Sequence, residues 1–170
     1  MVNMKYAIWA ALAATIMCLS CYADSDAISK RMIAKAENIL RGENIIPDRE
    51  FVDSSGINKP TEQTWAFSII CKLAEKPTEN FQRLAKSGSY YGMIGLRKYN
   101  PELFHEMINE FRGDPIVYLV SHDAFVMEEG SDFLSSLSRD EKAFTFERLI
   151  WNEIPDWTKT VRVRQPGKNP

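Results

Sequence analysis

The chain has 170 residues, with 21 Lys and Arg against 23 Asp and Glu, a formal net charge of −2. That mild acidity argues against nucleic acid as a general partner, because phosphate binding needs a concentrated basic face. The length suits one domain able to bury a sizeable core.

The chain opens with Lys5, an uncharged and mostly apolar run from Tyr6 to Cys21, and then Tyr22-Ala23-Asp24. This order predicts a secretory signal peptide over residues 1–23, cut after Ala23, with Cys21 and Ala23 as the short side chains the peptidase needs. Two other readings stay open. Tyr6 to Ala23 is 18 uncharged residues, the lower edge of what spans a hydrocarbon core as an uncleaved helix. Leu19-Ser20-Cys21 also resembles the end of a bacterial lipobox, with Cys18 where Leu is expected, which would make Cys21 a lipidation site and anchor the protein to a membrane. Cleavage after Ala23 leaves Cys71 as the one remaining thiol, so an intramolecular disulfide is excluded and the core must hold the exported domain.

A single helical domain is expected over 24–158. Ile28, Met32, Ile33, Ala36, Ile39 and Leu40 form one stripe of an amphipathic helix over 24–42, capped by Gly42. Residues 43–59, with Pro47 and Asp53-Ser54-Ser55-Gly56, read as a loop holding at most a short strand at Glu50 to Val52. A helical core follows over 60–113. Pro60 suits the entry to a helix so rich in Trp65, Phe67, Ile69, Ile70 and Leu73 that it must be central, and Pro77 ends it. Thr78 can cap a second helix that Gly88 terminates, a third runs from about Ser89 to Tyr99, and Asn100-Pro101 opens a fourth that ends before Gly113. Links of one to three residues make these antiparallel neighbours.

Pro115 to Val120 and Ala124 to Met127 are β-branched and aromatic around Ser121-His122-Asp123, which predicts a β-hairpin over 114–128. Neither run alternates cleanly, so cover on both faces is expected. Helices resume over 130–152, with Ser138 and Glu141 as a capping box. Residues 159–170, with Lys159, Arg162, Arg164 and Lys168 and no acid, read as a flexible basic tail.

The fold class expected is therefore mainly α, a compact multi-helix domain with one short β-hairpin. The helix-turn-helix succession from Pro60 to Gly113 resembles HEAT-like helical-repeat proteins, on helix length and short turns. Ser89-Tyr90-Tyr91-Gly92-Met93-Ile94-Gly95-Leu96, followed by Asn100-Pro101-Glu102-Leu103-Phe104, is similar to uncharacterised exported bacterial proteins. These resemblances imply a fold and a compartment, and no activity. The hairpin after Gly113 interrupts any long solenoid.

Few residues offer chemistry. Cys71 lies between Ile70 and Leu73 on the most apolar helix and reads as structural. His105 has no second histidine at helical spacing, so no metal pair is expected. His122 and Asp123, beside Ser121, are the best polar candidates, yet neighbours on extended backbone point to opposite faces and do not make a relay. Glu128, Glu129 and Asp132 read as a solvated acidic turn rather than paired acid and base or a weak calcium site. Gly92-Met93-Ile94-Gly95 superficially matches an RNA-clamping loop, but two glycines three apart on a helix more simply permit close helix approach. Trp151 and Trp157, with Pro155 between them and Arg162 and Arg164 after, form the expected place for a partner.

The function expected is that of an exported, non-enzymatic helical module, periplasmic or secreted, that binds another protein in the bacterial envelope. The alternative is a small periplasmic hydrolase using His122 with Asp123 or a nearby carboxylate. No cofactor or metal and no nucleic-acid partner is expected. A membrane is implied only through lipidation at Cys21 or an uncleaved N-terminal segment.

Overall fold

The computed structural model describes residues 26–47, 50–52, 58–120, 125–139 and 149. These residues are mainly helical. Helix α1 covers 26–40, and α2 (Glu62–Leu73), α3 (Pro77–Lys86), α4 (Tyr90–Tyr99), α5 (Pro101–Met107) and α6 (Gly130–Ser138) follow. Five short strands accompany them: β1 (Ile45–Pro47), β2 (Glu50–Val52), β3 (Asn58–Pro60), β4 (Ile116–Val120) and β5 (Phe125–Glu129).

Local signals set most helix ends. Gly42 and Gly88 sit at φ +64° and +82°, the left-handed conformation that closes a helix and that a side chain rarely adopts. Asn100 caps α5 by accepting the Leu103 amide at 3.1 Å, with Pro101 in the first turn. Two helix entries differ from expectation. Pro60 ends β3, and Thr61 is the cap of α2, its hydroxyl taking the Thr64 amide at 3.0 Å. Pro77 opens α3 rather than closing α2, because its missing N–H and fixed φ cost nothing in a first turn, and Lys76 rather than Thr78 is the capping position. Helix α5 is also shorter than expected, ending at Met107.

Helix α2 is central, buried from Glu62 through Ile70 on every side. Phe67 meets Phe81 of α3 and Tyr91 of α4 at ring distances of 5.2 and 5.8 Å, so one aromatic cluster joins three helices. Helices α3 and α4 run antiparallel at close range. A Cβ on Gly92 would collide with the Ala85 backbone, and one on Gly95 would enter the Phe81 ring. The two glycines are therefore a close-approach surface, as their spacing predicts. From the far end of the chain, the carbonyl of the buried Leu149 accepts a bond from Ser68 of α2 at 3.2 Å.

The main sheet has the order β1-β4-β5. Strand β1 pairs parallel with β4, Ile45 beside Tyr118, and β4 pairs antiparallel with β5, Tyr118 beside Met127. The hairpin expected over 114–128 is thus present. The loop expected over 43–59 is corrected: it contains β1, and its 50–52 segment pairs with β3 as a separate two-stranded sheet. Ile46 and Val117 belong to the core, with Leu119 packed against it, which turns one face of the sheet onto the helices. Of the C-terminal helices expected over 130–152, α6 is described. Ser138 is its last residue, while Glu141, the other half of the expected capping box, lies outside the described residues, as do the N-terminal segment 1–23 and the tail 159–170. No helix among the described residues is long and apolar enough to cross a membrane.

Candidate partner-binding edge

A three-stranded sheet has two edges, and each presents a row of backbone groups that need partners. Strand β1 forms the first edge. The Tyr118 amide donates to the Asn44 carbonyl at 2.9 Å, so in this parallel ladder the N–H and C=O of Ile45 face away from β4. Both are taken by side chains. The Glu43 carboxylate accepts the Ile45 amide at 3.1 Å and the Asn44 amide at 3.2 Å, and the Tyr91 hydroxyl donates to the Ile45 carbonyl at 2.6 Å. The Asn44 side chain also donates to the Ile116 carbonyl at 2.8 Å, which pins the strand's register. Pro47 brings no N–H of its own. All of 44–47 is buried, so a group left unpaired here would have no water to turn to. Burial, with the Glu43 charge nearby, holds the Tyr91 phenol well above its ordinary pKa and keeps it a donor.

Strand β5 forms the second edge. The Gly130 amide donates to the Pro115 carbonyl at 2.7 Å, extending the ladder by one pair past Ile116 and Glu129. Hydrogen-bonded pairs alternate in an antiparallel ladder, so the backbone groups of Val126 and Glu128 face β4. Those of Phe125, Met127 and Glu129 face outward. Among the described residues β5 pairs with β4 alone.

The side chains along this edge are apolar and in water. Phe125, Val126 and Met127 are 43, 51 and 66% exposed, and being consecutive they present apolar surface on both faces of the strand. The Phe125 ring lies 5.3 Å from that of Tyr118. The expectation that both faces of the hairpin are covered is therefore corrected for β5. Its clean run of apolar residues belongs to an open edge, where natural proteins more often place Lys or Pro. Past Met127 the surface turns acidic through Glu128, Glu129 and then Asp132 in the first turn of α6.

Trp151, Trp157, Arg162 and Arg164, the hairpin residues His122 and Asp123, and Cys21 all lie outside the described residues. His105 is exposed on α5 with its ring 5.2 Å from that of Phe104. Cys71 is partly buried at the end of α2, packed against the core. Burial pushes its thiol up to about 12, against the smaller opposing effect of a hydrogen bond with Tyr99, so it stays a neutral thiol at physiological pH. Phe125, Val126 and Met127 are what the sequence reading missed. The signal was visible in the unbroken apolar run, which a buried strand and an open docking edge share.

Away from the sheet, a concavity of about 1000 Å³ lies between α1 and the α2–α3 corner, with Ile33, Leu73 and Ala74 in its lining. Six of its seven charged lining residues pair with one another, and Glu75 is the seventh. Lys30 pairs with Asp26 at 2.8 Å, Lys76 with Glu79 at 2.9 Å, and Glu37 accepts from both Arg83 at 2.7 Å and Asn80 at 2.8 Å. Among the described residues no three His, Cys, Asp or Glu side chains come together as a metal-binding group. Compared with protein-family models, with curated proteins and with solved structures, the chain matches none.

Proposed function

We propose that this protein is a non-enzymatic binding module, exported to the bacterial envelope, and that it captures another protein along β5. The observation that carries the reading is the exposed apolar edge of Phe125, Val126 and Met127, with outward backbone groups beside it. Apolar side chains in water next to free strand hydrogen bonds offer a partner both burial and a ladder. Strand β4 and helix α6 pack against this edge, and on the HEAT-like reading the helical hairpins of α2–α5 act as a rigid frame for the domain. Trp151, Trp157, Arg162 and Arg164, outside the described residues, stand in this proposal as a separate partner-binding segment.

Photo-crosslinking tests it. A benzoylphenylalanine placed at Met127 is expected to give one dominant protein adduct in the native envelope, and the adduct should disappear when Phe125→Ser and Val126→Ser are added. Labelling at Met127 no stronger than at the exposed Glu102 of α5 would remove β5 as the binding site.

A further inference from the structure

We draw no further inference here: the strongest candidate, the exposed apolar edge of β5 at Phe125, Val126 and Met127, belongs to the site already described, and nothing in the structure shows what covers it.

Discussion

The two edges of the sheet solve the same problem in opposite ways, and the difference lies in what surrounds them. Strand β1 is buried, so each outward group of Ile45 needs a protein partner, and Glu43 and Tyr91 are placed to supply one. The side chains of Phe125, Val126, Met127 and Glu129 on β5 are exposed, and among the described residues no side chain is assigned to the outward backbone groups of Phe125, Met127 and Glu129. Solvation explains why β5 can remain open, but not why its side chains are apolar. An edge that only needed to stay solvated would be better served by charge, and this contrast is the ground on which a partner at β5 is proposed.

The comparison can be broken at its support, its closing bond or its open side. Gly92→Ala has the largest expected effect. The new methyl meets the backbone of Ala85, α4 must move off α3, and Tyr91 moves with it. A loss of about 3 kcal/mol is expected from this overpacking, read as a lower denaturation midpoint at unchanged slope. A cost below about 0.5 kcal/mol would mean that the α3–α4 contact does not hold Tyr91 in place.

Tyr91→Phe isolates the closing bond. It keeps the ring against Phe67 and leaves the buried Ile45 carbonyl without its donor, which should cost about 2 kcal/mol. The same variant sharpens a pH dependence. In the unfolded chain a tyrosine ionises near pH 10, whereas buried Tyr91 holds its proton well beyond that. The unfolded state therefore loses the proton first, and stability is intact below about pH 10 and falls as the pH rises above it. Each such group adds a slope of about 1.4 kcal/mol per pH unit in that window. Cys71 and Tyr90, both raised to about 12, contribute in the same direction. Chemical denaturation between pH 8 and 11 should show the fall, with Tyr91→Phe flattening it by one proton's worth. An unchanged slope would mean that this phenol ionises as readily in the fold as outside it.

The smallest effect belongs to the open edge. Phe125→Ser and Met127→Ser should each change stability by no more than about 0.5 kcal/mol, because these side chains are already exposed. A cost of about 2 kcal/mol at Met127 would show that β5 is closed in solution, and the contrast between the edges would be lost.

The helical part of this fold was legible because its signals are local. Gly42, Gly88 and Asn100-Pro101 act within one turn of themselves, and the spacing of Gly92 and Gly95 states a close approach that needs no knowledge of the partner helix. Strand β1 was not legible. Ile45-Ile46-Pro47 is too short to show a period, and its partner Tyr118 stands 73 residues away. The cap at Thr61 was hidden for a related reason: a count of apolar residues passes over Thr61, Thr64 and Ser68, which are fully buried only because each is hydrogen-bonded. At β5 the composition was read correctly and its environment was not, since burial is decided by what packs from elsewhere in the chain.

The parallel pairing of β1 with β4 also has a consequence for how the molecule assembles. Three residue pairs close a loop containing α2 to α5, so the chain must bring together points more than 70 residues apart before that pairing returns any stabilisation. The α3–α4 hairpin and the β4–β5 hairpin are local and can form early, on the microsecond scale of such elements. On that loop-closure cost, Asn44 to Pro47 are expected to seat late, as a closing clasp rather than a nucleus, and β1 variants should then change the unfolding rate more than the folding rate.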